Sequence, residues 1–237
     1  RQGHMTEHDG PACSSGAESP AAGAAPGAGE ESHGLTAYTP CISVRACGRL
    51  WRLQRAADLE SLWNAMLDDP QDFEDERLPY WTELWPSSIA LCRWLEERRA
   101  EIAGRPCLDL GCGLGLTAMV GQWLGAQVIG MDYEEEALRF ASLNARHNGV
   151  SPPLWTVMDW RQPAVRPRSI FRLWGGDIMY EKRFVAPVMR FLSHVQALHG
   201  GGLEGRRVFS ERVEPLYAQP VPVTVAVWEI RRRVRPA

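Results

Sequence analysis

The sequence has six cysteines, at 13, 41, 47, 92, 107 and 112, but no C-x-x-C pair. That spacing excludes the usual zinc folds and gives no disulfide framework, so neither a metal site nor a stapled core is expected. Reduced cysteines fit a cytoplasmic setting. No apolar run approaches the roughly 18 residues of a membrane helix. The N-terminus also lacks a basic-then-apolar signal pattern, so no membrane partner is expected. An excess of positive charge is missing too: 26 Lys and Arg against 29 Asp and Glu leave a net charge of −3. Without a global basic field, no nucleic-acid partner is expected. The local run "RRRVR" reads as a solvated strand edge. No aromatic residue precedes Tyr38. Residues 1–37 are therefore expected to be a disordered tail, because they cannot bury enough surface to offset their ordering entropy. Its first residues, "RQGHM", read as a cloning remnant, with Met5 as the native start.

A further absence bears on chemistry. In "CLDLGCGLGLTAM" the glycines Gly111, Gly113 and Gly115 are spaced G-x-G-x-G, and Leu116 stands where a dinucleotide fingerprint needs its third glycine. Asp109 precedes the loop, where a pyrophosphate would meet repulsion. The loop is glycine-rich, but wrong for a phosphate. Cys107 and Cys112 flank it as small buried fillers.

What is present alternates. "ISVRACGRLWRL", from Ile42 to Leu53, reads as a β-hairpin, and "DLESLWNAM" as a short helix. An acidic, exposed loop, "DDPQDFEDERLPYW", leads into the aromatic cluster Tyr80, Trp81 and Trp85. In "PSSIALCRWLEERRAEI" the residues Leu91, Trp94, Leu95 and Ile102 share a stripe, giving a helix capped by Ser87 or Ser88 after Pro86. "RPCLDLG" reads as a buried parallel strand, "LTAMVGQWL" as a helix stopped by Gly125, and "AQVIGMD" as a strand ending at Asp132. "EEEALRFASLNARHNG" is a helix with acids in its first turn. "LWTVMDW" is a strand ending at Asp159 and Trp160, and "SIFRLWGGDIMY" another ending near Asp177. "FVAPVMRFLSHVQAL" is a helix and "VTVAVWEIRRR" a last strand. Such alternation predicts an α/β, Rossmann-like doubly wound and mostly parallel sheet. Residues 38–86 would form an N-terminal hairpin and helix extension, and 87–237 the main domain. Ligands of such sheets sit beyond the carboxyl ends of the strands. The glycine loop, Asp132, Asp159, Trp160 and Asp177 all fall there.

Asp132, at the second strand end, is placed to accept both hydroxyls of a ribose. The acid before the glycines suits a cationic head such as an ammonium. A ribose, an ammonium and no phosphate describe S-adenosylmethionine. Asp159 could accept from the adenine amino group and Trp160 cover the ring. Each acid has a plain structural reading as well, as a helix cap, and Trp160 could be core filler.

With those residues the chain resembles the class I, seven-strand methyltransferases, through "LDLGCGLG" and "GMD". More narrowly, "LPYWTELWPSS" and "GGDIMYE" resemble the family 16, D-x-x-Y group, which includes many protein lysine methyltransferases, among them those modifying the electron-transfer flavoprotein β subunit. The resemblance implies that Asp109, Gly111 and Gly113 line the methionine moiety and Asp132 the ribose. Asp159 and Trp160 would hold the adenine, with Trp85 beside the cofactor and Cys112 and Tyr133 in the same pocket. Asp177 and Tyr180 would face the acceptor amine, and the acidic loop would favour a basic protein segment carrying a lysine. The stretch from His199 to Ile230 is too short for the family's fifth strand, helix and closing strand pair, so the expectation is either a trimmed sheet edge or residues absent from the sequence as given. The rival readings are a nucleic-acid base methyltransferase, a small-molecule methyltransferase and a catalytically silent binding module. Ile178 and Met179 replace the two prolines of the adenine-methylating D/N-P-P-Y motif, which disfavours the first.

Overall fold

The computed structural model describes residues 40–56, 79–196, 203–214 and 221–233. The expected tail, the "DLESLWNAM" helix, most of the acidic loop and the end of the basic run lie outside the described residues.

Strands β1 (Cys41–Ala46) and β2 (Arg49–Gln54) form the expected antiparallel hairpin, in register from Cys41 opposite Gln54 to Ala46 opposite Arg49. A single 3-10 turn, Pro79–Thr82, precedes helix α1 (Pro86–Glu97), and a one-turn helix α2 (Arg99–Ile102) follows it. The cap differs from expectation. Trp85 is the N-cap residue, in extended conformation with no side-chain cap, and Pro86 opens the helix. Proline suits that place because its missing N–H would have no helical partner there.

Strand β3 (Pro106–Leu110) is buried from Cys107 to Leu110, as a central parallel strand must be. Helix α3 (Leu116–Trp123), β4 (Gln127–Asp132), helix α4 (Glu135–His147), β5 (Leu154–Val157), β6 (Arg172–Trp174) and helix α5 (Lys182–Val195) follow. The four parallel strands run in the order β5-β4-β3-β6, so the chain reverses direction across the sheet beside β3. The hairpin, α1, α3 and α4 bury one face around Trp51, Leu53, Leu95 and Met119. Helix α5 covers the other, setting Val188 and Phe191 against Leu108, Leu110 and Met131. This is the doubly wound architecture, with the hairpin built into its core.

Two strands are shorter than their sequences suggested. β5 ends at Val157, before Asp159. β6 ends at Trp174, because Gly175 and Gly176 lead into Asp177, whose φ of 59° is left-handed and cannot continue a strand. The last strands, β7 (Leu203–Val213) and β8 (Val223–Arg232), form a separate antiparallel hairpin. Among the described residues no strand pairs with the outer edge of β6. The hairpin instead lies against α1, to which Arg93 ties it through Glu211, while Arg172 of β6 reaches Glu229 at 3.5 Å. Cys47, Cys92, Cys107 and Cys112 are free and buried. Cys41 departs from the expectation of reduced thiols: it is disulfide-bonded, at the partly exposed start of an edge strand. No described helix is long and apolar enough to cross a membrane.

Gly115 fixes how the loop enters α3. Its φ is 85°, and a Cβ there would lie 2.7 Å from the Cβ of Ala141 on α4. Gly115→Ala should therefore cost about 2 kcal/mol or more of unfolding free energy, from overpacking and left-handed strain together. Urea unfolding checks this; a loss under about 0.5 kcal/mol would contradict the close packing.

Candidate active site

A cavity of about 620 Å³ opens at the carboxyl ends of β3, β4 and β6, beside the reversal of strand order. Its floor is the glycine loop. Cys112 donates its backbone N–H to the Met131 carbonyl at 2.9 Å, tying the loop to β4. The Asp132 carboxylate completes the link, accepting from Gly113 N–H at 2.8 Å and from Glu134 N–H at 3.1 Å. Asp132 is only 8% exposed, and burial raises its carboxyl above the usual range, while the N–H groups of Glu134, Gly113 and Tyr133 pull it back. One side chain thus holds the loop, fixes the residue that leads into α4 and faces the cavity. Each carboxylate oxygen has two acceptor sites, so these bonds leave capacity for hydroxyls of a ligand. Replacing Asp132 by alanine would loosen the loop as well as remove that acceptor.

The roof is the segment Tyr80–Trp85. The Trp81 carbonyl would lie 3.3 Å from a Cβ on Gly113, whose φ is 50°, so the roof rests closely on the loop at a left-handed glycine. The Trp85 indole N–H donates to the Tyr80 carbonyl at 3.1 Å, and the Tyr80 ring meets Trp85 edge-on at 6.1 Å. At the opposite lip, Tyr180 packs edge-on against Tyr80 at 4.9 Å and Phe184 at 5.2 Å. Trp160 also meets Phe184, at 5.6 Å. These aromatic contacts bring residues 80, 160, 180 and 184 into one wall.

The cavity brings together Trp85, Gly111, Cys112, Gly113, Asp132, Tyr133, Asp159, Trp160, Asp177 and Tyr180. Asp109 stands apart from them. It is fully buried behind the loop and does not line the cavity. Thr117 at the start of α3 donates its hydroxyl to Asp109 Oδ2 at 2.5 Å. Burial pushes this carboxyl up to about 7, against the opposing pull of Thr117, Trp174 and the Ala118 N–H. The physical reason is strand alternation: Cys107 and Asp109 point to the α3 face, Leu108 and Leu110 to the α5 face. Asp159 does reach the cavity, but its carboxylate is held by Arg161, through the backbone N–H at 2.7 Å and Nε at 2.8 Å. Asp177 is exposed at the lip, and partial burial raises its carboxyl.

Sequence reasoning missed three participants. Glu83 sits inside the quoted aromatic motif, lines the cavity and is 5% exposed. Its carboxylate accepts from Arg55 at 2.6 Å, with both side chains buried. Asn144 on α4 donates to the Leu114 carbonyl of the loop and to the Gln54 carbonyl of the hairpin, each at 3.1 Å. A polar residue on the buried stripe of an amphipathic helix was the available signal for Asn144. For Glu83 and Arg55 only proximity in the fold reveals the pair.

The donor set suits a nucleoside with a sulfonium side chain better than a phosphate ligand. An acid stands at the ribose position, and the two arginines lining the cavity, Arg161 and Arg183, are each engaged by a carboxylate, Asp159 and Glu181. Among the described residues no cluster could hold a metal ion.

Residues 88–169, about a third of the chain, match the family model for ribosomal protein L11 methyltransferase (PrmA). The matched segment carries the glycine loop, Asp132 and three of the four parallel strands of the Rossmann-like sheet. The electron transfer flavoprotein β subunit lysine methyltransferase of Mus musculus is 37% identical over 137 residues, covering 56% of this chain and 53% of the relative. The ribosomal protein L11 methyltransferase of Azotobacter vinelandii is 38% identical over 141 residues, covering 58% and 45%. The chain thus spans about half the length of the curated relatives it matches. Among solved structures, a T. thermophilus 16S rRNA N2 G1207 methyltransferase, in complex with AdoMet and guanosine, aligns with a TM-score of 0.47 at 18% identity. It covers 70% of this chain and 40% of its own.

The buried Asp109 generates a pH prediction. Its folded-state pKa lies above the unfolded value of about 3.9, so the native state holds the extra proton, and its contribution to stability falls as pH rises from about 4 to about 7. Asp109→Asn cannot ionise. Relative to wild type, it should gain at least about 1 kcal/mol between pH 5 and pH 8 in urea unfolding. An unchanged difference across that range would show that Asp109 carries no such burden.

Proposed function

We propose that this domain binds S-adenosylmethionine and catalyses methyl transfer to an amine, the acceptor being a lysine side chain of a protein. The observation that carries the reading is one cavity with a ribose-competent acid at its floor and an acid and a phenol, Asp177 and Tyr180, at its aromatic lip. Gly111 and Gly113 would flank the methionine moiety, Trp160 the adenine, and Trp85 the cofactor's reacting end. The D-x-x-Y spacing of Asp177 and Tyr180, and relatives named for protein methylation, support a protein acceptor.

When bound, the cofactor supplies an electrophilic methyl group on a sulfonium. The chain must present an unprotonated nucleophile to it. A free lysine has a pKa of about 10.4, so the neutral amine is scarce at pH 7 and must be desolvated and aimed. The lip supplies that surface: Met179 and Tyr180 are half exposed, and the Tyr80, Tyr180 and Phe184 rings form a slot wall. Tyr180 stays a neutral phenol, since burial and the nearby charge of Glu181 push it up to about 12. It can hydrogen-bond the amine but does not serve as its base. Asp177 is the group that orients the amine and takes part in removing its proton, directly or through water.

A radiolabelled transfer assay on cell lysate, resolved into protein, nucleic-acid and small-molecule fractions, tests this reading. Label should enter protein, at lysine by mass spectrometry. Asp177→Ala and Tyr180→Phe should lower turnover at least tenfold while leaving cofactor affinity within about threefold, because losses confined to the transition state appear in kcat. Label confined to nucleic acid or small molecules, or full turnover in both variants, would overturn the lysine assignment.

A further inference from the structure

Asp177 and Tyr180 would act at the lip, yet no polar contact fixes the acid. Among the described residues its carboxylate accepts no hydrogen bond and joins no ion pair. Tyr180 is held by the rings of Tyr80 and Phe184. The Asp177 backbone is left-handed, with φ 59°, a conformation that a non-glycine residue keeps only where its surroundings impose it. The next side chain in the chain supplies that constraint. Ile178 lines the cavity and lies over two glycines at once. A Cβ on Gly111 would come within 2.9 Å of Ile178 Cγ2, and one on Gly175 within 2.8 Å of its Cδ1. The Leu110 carbonyl would lie 2.9 Å from that same Cβ of Gly175, so the turn is pressed against the end of β3. From the other side, Ser87 Oγ of α1 would stand 3.2 Å from a Cβ on Gly176. Ile178 also packs on the cluster that contains Leu108 and Leu110.

Isoleucine suits this place. Its branch at Cβ restricts χ1, so its two arms hold fixed directions. One arm presses on the glycine loop, which would flank the methionine moiety of the cofactor. The other presses on the turn that carries Asp177. We propose that Ile178 is a positioning residue: keyed between Gly111 and Gly175, it sets Asp177 and Tyr180 in register with the glycine loop. The register of the acceptor amine with the transferable methyl follows from it. The inference rests on the methyl-transfer reading above and adds a residue inside the D-x-x-Y segment that acts through its neighbours. It also gives the bare glycines at 111 and 175 a shared purpose, since each leaves room for one arm. A misplacement of about 1 Å can cost roughly a hundredfold in rate, so the loss of two methyl-bearing arms is large enough to measure.

Two measurements isolate the role: the maximal rate of label transfer from S-adenosylmethionine into lysate protein, and calorimetric affinity for S-adenosylhomocysteine. Ile178→Ala removes both arms. It should lower the rate at least about tenfold and leave the affinity within about threefold. Ile178→Val keeps the Cγ2 arm over Gly111 and should stay within about threefold of the wild-type rate. The loss should also disappear where there is nothing to position. In Asp177→Ala/Tyr180→Phe protein, adding Ile178→Ala should change the residual rate by less than about twofold, because residues acting as a unit are not additive. A mere core filler would lower the melting temperature and multiply its loss with that of the pair. Should Ile178→Ala fail to fold, Ile178→Leu, which keeps the volume but lacks the branch at Cβ, serves in its place. A loss of at least about fivefold is expected there. Full rate in the tested variant, a valine variant as slow as the alanine one, or a loss that multiplies with that of the pair overturns this inference alone. No label in protein from wild type, or full rate in Asp177→Ala/Tyr180→Phe, defeats the reading of the site and this inference with it.

Discussion

The Asp132 carboxylate at the end of β4, accepting the N–H of Gly113, is the contact on which the rest of the site depends. The glycine loop contributes no side chains beyond Cys112 and Leu114, and one internal bond, Gly115 N–H to the Cys112 carbonyl at 2.8 Å, leaves most of its path to be fixed by neighbours. Its shape comes from outside: Met131 holds Cys112 N–H, Asp132 holds Gly113 N–H, and Ala141 sets how closely Gly115 approaches α4. Burial makes these bonds hard to break, because an orphaned N–H or carboxylate would face no water. The same burial makes the carboxylate costly to keep charged. A ligand hydroxyl donating to it would reduce that cost, which links loop rigidity to binding.

The N-terminal hairpin extends this logic outward. Two buried asparagines on and after α4 stitch it to the main sheet: Asn144 binds Gln54 and Leu114, and Asn148 binds Arg52 through both its N–H and its carbonyl. Trp51 and Leu53 are fully buried in the core shared with α1 and α3. The hairpin thus braces the site from behind, with none of its residues in the cavity lining. It delivers Arg55 to Glu83, and the chain then returns as the aromatic roof over the loop.

Much of this was legible in the sequence, for particular reasons. The buried run Cys107–Leu110, the glycines after it and the acid ending "AQVIGMD" announce a parallel strand, a tight turn and a second strand end, and the structure has them. The aromatic motif and the D-x-x-Y spacing placed Tyr80, Trp85, Asp177 and Tyr180 near each other, and one cavity collects them. The direction of Asp109 was not legible from the motif alone. It follows from alternation with Cys107, and from Thr117 waiting eight residues on. The short β6 depended on a left-handed Asp177, which the pattern "GGD" hints at but does not require. The short last stretch pointed to a trimmed outer sheet edge, but not to where β7 and β8 lie, since their contacts with α1 are long-range packing choices.

The central claim is that the cavity is a nucleoside site whose ribose acceptor is Asp132. Calorimetric titration of S-adenosylhomocysteine into wild-type protein and Asp132→Asn, with NAD as control, tests it most directly. Asparagine keeps the side chain's size and one acceptor for the loop, so circular dichroism and melting should report an intact fold. The account predicts a single S-adenosylhomocysteine site in the wild type, at least about tenfold weaker in the variant because a paired acceptor is lost, and no binding of NAD. Binding of NAD in place of S-adenosylhomocysteine, or full affinity in a folded Asp132→Asn protein, would contradict it.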